Sequence, residues 1–196
     1  MGTVKSLLLG MCFVLGACTS QTSTVQTTEK GTQWEWQNGT IVVKTPERPA
    51  GQKSVLGLTT PKLEAVRVGF VGLGMRGPGA VERFTYIPGT QVVALCDYEE
   101  ARADKCQELL KKASMPKAAV YSGDKGYEEL CKRDDIDLVY IAADWLHHFP
   151  VAKCALENGK NVAIEVPSAM NLQECWDLIN LSESTRKHCF ILENCC

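Results

Sequence analysis

The stretch AVRVGFVGLGMRGPG, residues 65 to 79, limits what this chain can fold into more than any other. AVRVGFVG is a near-continuous apolar run, which reads as a strand buried on both faces. It breaks at Gly72-x-Gly74-x-x-Gly77, and the pattern turns helical from Gly77 to about Thr85. Three glycines alone are weak evidence. A strand before them and a helix after them match the turn that holds a dinucleotide. Gly72 permits the tight turn, Gly74 lets a pyrophosphate approach the backbone, and Gly77 lets helix and sheet pack closely. The helix N-terminus offers free N–H groups and the positive end of its dipole. The next strand, TQVVALCD, ends on Asp97, near the spacing of roughly 20 residues expected of an acid that binds the adenosine ribose. A carboxylate there repels a 2′-phosphate, so NAD is the expected cofactor.

The pattern continues. Helix 99–114 leads to a short strand AAVY, and DKGYEELCKRDD reads as a third helix capped by Asp124. DLVYIAA is a fourth strand, followed by a loop DWLHHF and a helix from about Pro150 to Asn158, closed by Gly159. NVAIEV is a fifth strand. A long helix starts at cap Asn171, and HCFILEN is a sixth strand. Strict alternation with long crossovers predicts an α/β fold, a doubly wound parallel sheet of the Rossmann type, over residues 65–196. Such a domain is complete at its sixth strand, so a substrate domain is expected to be absent.

The N-terminal part reads differently. MGTVKSLLLGMCFVLGACTS has a basic residue, an apolar run too short to span a bilayer, and then small residues, the plan of a signal peptide over 1–17. Leu15-Gly16-Ala17-Cys18 resembles the bacterial lipoprotein signal. Cys18 would then carry the lipid that anchors an exported, cell-envelope protein to a membrane, the only membrane contact expected. Residues 18–64 read as a polar tether and linker, with a short strand at Thr40–Lys44.

The chain has 196 residues, 45% hydrophobic and 22% charged, with net charge -2. This balance shows no basic face for nucleic acid. Ten cysteines suggest disulfides, but there is no C-x-x-C, and most fall at apolar positions where cysteine acts as a small hydrophobe. No histidine and cysteine pair has zinc-site spacing, so no metal is expected.

VRVGFVGLGMRG, VVALCDYEEAR, DLVYIAADWLHHFPVAKCALENGKNVAIEVP and FILENCC together resemble the Gfo/Idh/MocA superfamily. More narrowly, they are similar to family 109 glycoside hydrolases, NAD-dependent α-N-acetylgalactosaminidases. Dehydrogenases of the superfamily usually carry Glu-Lys-Pro after the fifth strand; this chain has Glu165-Val166-Pro167, without the lysine. Asp144-Trp145-Leu146-His147-His148 resembles the Trp-x-x-His of the hydrolases.

The resemblance implies that Met75, through its backbone, and Arg76 lie at the pyrophosphate, with Asp97 at the adenosine ribose. Trp145, Leu146, His147 and His148 would line the nicotinamide half. His148 matches the motif, whereas His147 reads as exposed or capping. Glu165 and Val166 would lie beside the nicotinamide ribose, and Asn194 would close the site. It further implies a small glycoside substrate, oxidised transiently at C3, eliminated across C2 and C1, hydrated and reduced again. Two alternatives stay open: an NAD-dependent sugar oxidoreductase, and an NAD-binding fragment without activity. No catalytic residue is assigned.

Overall fold

A computed structural model describes residues 26–27 and 33–193. The expected signal peptide, Cys18 and Asn194 lie outside the described residues.

The chain divides into two compact units at Lys44/Thr45. The first holds a small antiparallel sheet of β1 (Gln26–Thr27), β2 (Gln33–Gln37) and β3 (Thr40–Val43). Asn38 and Gly39 join β2 to β3 with φ 50 and 78. Positive φ at both central residues is the conformation a two-residue hairpin turn needs, and Asn-Gly adopts it readily. Trp34 pairs with Val43 and Trp36 with Ile41.

The second unit contains a six-stranded parallel sheet: β4 (Val66–Val71), β5 (Thr90–Asp97), β6 (Ala119–Ser122), β7 (Leu138–Ile141), β8 (Asn161–Glu165) and β9 (Cys189–Leu192). Their order is β6-β5-β4-β7-β8-β9, with every neighbouring pair parallel. Helices α1 (Gly77–Phe84), α2 (Glu100–Lys112), α3 (Gly126–Cys131), α4 (Trp145–Glu157) and α5 (Leu172–Thr185) make the crossovers. This is the expected doubly wound Rossmann sheet.

Two cores result, one per face. Alternate residues of a strand point to opposite faces, so Val139 and Ile141 enter the core with Leu130, Val151, Ala155 and Ile164. Tyr140, between them, joins Phe70, Ala80, Val81, Leu95 and Leu110 on the other face. Most of these side chains are wholly buried, each stabilising the fold by roughly 1.5–3 kcal/mol for the larger aliphatics. Gly69 on β4 makes room for α3: a Cβ there would meet Leu130 Cδ2 at 2.9 Å.

Three local expectations are corrected. Helix α4 starts at Trp145, not near Pro150, so DWLHHF is a capped first turn rather than a loop. The Asp144 side chain accepts the Leu146 N–H at 3.0 Å, which starts the helix five residues before the proline. Pro150 then sits inside it, where its missing N–H costs one bond, to the carbonyl of exposed Leu146. Asp124 does not cap α3: the N-cap is Lys125 with no side-chain bond, because Gly123 (φ 80) turns the chain and takes Gly126 N–H on its own carbonyl.

The third correction concerns residues 45–64. They form no helix or strand, as a linker would, yet part of the segment is fixed to α5. Arg48 donates to both carboxylate oxygens of Glu183, at 2.9 and 3.1 Å, and Gln52 adds a bond to Glu183 at 2.9 Å. Glu183 is buried beneath them, and its carboxyl is held below the ordinary range by those two partners, Arg48 first. Arg186 returns the contact by donating to the Lys53 and Ser54 carbonyls. A sequence pattern of Pro and polar residues carries no sign of a partner more than a hundred positions away.

Candidate cofactor site

The strand order reverses at β4, with β5 and β6 on one side and β7, β8 and β9 on the other. At such a switch point the carboxyl ends of the strands leave a crevice. Here it is a cleft of about 580 Å³, within the range of small-ligand and cofactor sites.

The glycine turn forms its floor, and its three glycines do different things. Gly72 has φ +91, and a Cβ on it would lie 2.3 Å from Ala143 N and 2.4 Å from the Ala142 carbonyl carbon. Gly77 lets α1 approach β4: a Cβ there would lie 2.1 Å from Gly72 O. Both positions are dictated by the protein's own backbone. Gly74 is not. Its φ lies outside the left-handed region, and its Cβ would meet only Arg102 Nη1 at 3.6 Å, an ordinary contact. A side chain there would project into the cleft that Gly74 lines. The protein's own packing thus leaves the backbone at Gly74 open at the cleft, and such a cradle fits a pyrophosphate.

Helix α1 begins beside it without a side-chain cap and without an acidic residue in its first turn. The N–H groups of a first turn lack intrahelical partners, and no acidic side chain in that turn competes for them. Met75 and Arg76 line the same side, exposed, and Arg76 makes no ion pair among the described residues. Gly77 itself is buried and does not line the cleft.

Asp97 reaches the cleft but is only 6% exposed. One carboxylate oxygen, Oδ2, accepts the Leu73 N–H at 2.6 Å; Oδ1 accepts the Glu99 N–H at 3.0 Å and Arg102 Nη1 at 3.4 Å. A carboxylate offers about four acceptor sites, so these three donors leave about one for a ribose hydroxyl. Asp97 thus holds the glycine turn in shape, a task the spacing did not show. Beneath it, burial first and the Asp97 charge second push the Cys96 thiol up to about 12, which makes that cysteine inert packing.

The first turn of α4 forms the opposite wall. Trp145 is 61% exposed and lines the cleft. Leu146, also exposed, points elsewhere and is absent from the cleft wall. His147 lines the mouth, with Nδ1 at 2.6 Å from Asp144 Oδ2 and Nε2 at 3.7 Å from Asp124 Oδ1. Burial works to raise the Asp144 carboxyl, but His147 and the Leu146 and His147 backbone N–H groups outweigh it and hold it below the ordinary value.

His148, the histidine that matches the motif, is 1% exposed. Its Nδ1 lies 2.7 Å from Pro167 O and its Nε2 2.9 Å from Ala143 O. A neutral imidazole has one N–H, so only one of these carbonyls can accept from the ring at a time, and the largely buried side chain forms part of the cleft wall. It ties the loop after β7 to the loop after β8, where the Val166-Pro167 peptide is cis.

Glu165 and Val166 form the edge of the cleft at the end of β8. Tyr140 donates its hydroxyl to Glu165 Oε1 at 2.8 Å. Burial, then Glu165, push that phenol up to about 12. Tyr140 also stacks on Phe70 at 5.1 Å and meets Phe84 edge-on at 5.8 Å. Val166 is 42% exposed at this edge. Tyr98, Arg102, Asp124, Tyr127 and Asp144 line the cleft as well and were not expected. Arg102 and Tyr98 follow directly from the Asp97 turn and were within reach of the sequence; Asp124 and Tyr127 arrive from β6 and α3 by folding alone. Among the described residues no three His, Cys, Asp or Glu side chains come together as a metal site.

Residues 66–192 match the family model described as "Oxidoreductase family, NAD-binding Rossmann fold". Glycosyl hydrolase family 109 protein 4 of Phocaeicola vulgatus is 80% identical over 197 residues, covering all of this chain and 38% of that protein. Glycosyl hydrolase family 109 protein 1 of Bacteroides thetaiotaomicron is 58% identical over 193 residues, covering 98% of this chain and 40% of that protein. The chain therefore spans about two-fifths of the length of these curated relatives. Among solved structures, myo-inositol dehydrogenase from Lactobacillus casei, in complex with NAD(H) and myo-inositol, shares the fold with a TM-score of 0.58 at 24% identity, covering 65% of this chain and 36% of that one. The chain belongs to the Gfo/Idh/MocA oxidoreductase family, with its NAD-binding Rossmann fold.

Proposed function

We propose that this chain is the NAD-binding part of a glycosidase that hydrolyses α-N-acetylgalactosaminides. The observation that carries hydrolysis over net oxidation is Val166. It stands exposed at the cleft edge where the resembling dehydrogenases have lysine, and an isopropyl group transfers no proton. The 80% identity to a protein named glycosyl hydrolase family 109 supports the same reading.

Bound NAD+ would supply reversible oxidation of the sugar, which acidifies its C2 hydrogen, allows elimination of the aglycone and is undone after water adds. The chain's own residues do the holding. Gly74 and the first turn of α1 receive the pyrophosphate, with Arg76 adding positive charge. The one remaining acceptor site of Asp97 takes a ribose hydroxyl. Trp145 and Val166 give the reacting half apolar walls, which excludes water and strengthens electrostatic interactions inside. Glu165, already fixed by Tyr140, offers its second oxygen at the edge. Export and a lipid anchor at Cys18 belong to the same proposal, and the mass of the mature N-terminal peptide tests them.

Activity is tested in a hybrid in which residues 1–193 replace the matching part of a full-length relative. Aryl α-N-acetylgalactosaminide should be cleaved only when NAD+ is present, with no accumulation of NADH. Cleavage without NAD+ would sink the proposal, and stoichiometric NADH would favour the sugar oxidoreductase instead.

A further inference from the structure

The Asp97 carboxylate belongs to a closed ring of contacts at the start of α2. Glu99 donates its backbone N–H to Asp97 Oδ1 at 3.0 Å, and Arg102 Nη1 reaches the same oxygen at 3.4 Å. Arg102 Nη2 in turn donates to Glu99 Oε1 at 2.9 Å. Arg102 lines the cleft and leans over the glycine turn, since a Cβ on Gly74 would lie 3.6 Å from its Nη1; Glu99 stands outside the cleft wall. The neighbouring turn brings a further acid. Gly123 donates its N–H to the Tyr98 carbonyl at 3.1 Å, which sets Asp124 near the end of β5, on the same wall.

We propose that Glu99 fixes the choice between NAD and NADP by holding Arg102 back from a 2′-phosphate. The inference rests on the placing of the adenosine ribose at Asp97. A 2′-phosphate would arrive beside that ribose hydroxyl, and an arginine there is the group that clasps it, through a planar fork of donors. In this chain each Nη of the arginine at that corner already faces a carboxylate. Asp97 alone does not account for the selection, because Arg102 and two backbone N–H groups converge on it and offset its charge. The outer acid tips the balance: Asp97, Glu99 and Asp124 surround the corner with negative charge that Arg102 offsets only in part.

Glu99 is thus a positioning residue that acts through Arg102. Its side chain makes no capping bond to α2, and its bond to Asp97 runs through the backbone, so replacing the side chain leaves both the helix start and the carboxylate contact in place. The ion pair itself is exposed, with 41% of the Arg102 and 58% of the Glu99 side chain accessible. Pairs of that kind contribute little to folding, and the removal of one charge is felt at the ligand instead.

The full chain and Glu99→Gln are titrated calorimetrically with NAD+ and with NADP+, and their thermal midpoints are measured on the same samples. The parent should bind NAD+ more tightly than NADP+. Glu99→Gln should bind NADP+ about tenfold more tightly than the parent does, the lower end of what one hydrogen bond to a charged group contributes. Its NAD+ affinity and thermal midpoint should stay as they were, whereas a merely structural role for Glu99 would shift both cofactors together. Adding Arg102→Gln to Glu99→Gln should remove the gain. A parent that binds both dinucleotides equally, a Glu99→Gln chain without the gain, or a gain that survives the loss of Arg102 would each overturn the proposal. A parent that binds neither dinucleotide would overturn the cofactor site itself, and this proposal with it.

Discussion

Replacing each glycine of the cofactor turn by alanine should separate holding the fold from holding the cofactor. In Gly77→Ala the methyl group would lie 2.1 Å from Gly72 O and 3.0 Å from Gly72 C. Neither atom can move without displacing the turn that packs on Ala142 and Ala143, so overpacking costs about 3 kcal/mol. At about 2–4 °C per kcal/mol for a chain of this size, the thermal midpoint falls by about 6–12 °C. In Gly74→Ala the methyl group meets only the end of a flexible arginine at 3.6 Å. Stability should stay within about 0.5 kcal/mol of the parent. NAD binding should suffer instead, because the methyl group occupies the cradle. Losing one charge-assisted bond to the pyrophosphate costs about 1.5–3 kcal/mol, or about a 10- to 150-fold rise in Kd. Calorimetric titration with NAD+ and a thermal scan on the same samples read both quantities. A Gly74→Ala chain that binds NAD+ as the parent does would refute the cradle. One that melts as early as Gly77→Ala would show that the turn tolerates no side chain anywhere.

His148→Ala removes a buried ring and its N–H bond to the Pro167 or the Ala143 carbonyl, which should cost about 2–4 kcal/mol. An unchanged thermal midpoint with lost NAD affinity would instead place the ring in contact with the cofactor. For pH, the relevant group is Asp137, which accepts Arg67 Nη2 at 2.7 Å and Arg67 Nε at 2.9 Å. Those bonds, outweighing burial, hold its carboxyl below the ordinary value of 3.8. A depressed folded-state value means stabilisation that is complete above the unfolded value and lost as pH falls through the folded one. Asp137→Asn should therefore lower the urea midpoint at neutral pH and converge with the parent in acid; a gap that persists in acid would show that ionisation is irrelevant there.

The six strands of the parallel sheet and most helices were legible because their signals are local. Val139, Tyr140 and Ile141 alternate between two cores, and an apolar run of that kind announces a strand buried on both sides. The start of α4 was misread for an equally local reason. Proline favours the first turn of a helix, so Pro150 drew attention from Asp144, whose carboxylate is the cap. The site was legible only in outline. Gly72, Gly74, Asp97, Trp145 and Val166 stand at the cleft, but spacing could not show that three donors already converge on Asp97 or that His148 faces two carbonyls. Those facts depend on loops from separate strands meeting, as does the burial of Glu183 under Arg48 and Gln52.

The contact between Tyr140 and Glu165 ties the carboxylate at the cleft edge to the aromatic cluster on the same face of the sheet. The phenol that aims it is itself wedged by Phe70 and Phe84, and Phe84 is the last residue of α1. The helix whose first turn borders the cleft therefore also packs, at its far end, against the phenol that hydrogen-bonds an acid on β8. Phe84→Ala, which touches neither the glycine turn nor the cleft, is expected to loosen the Tyr140 ring and with it the hydrogen bond to Glu165.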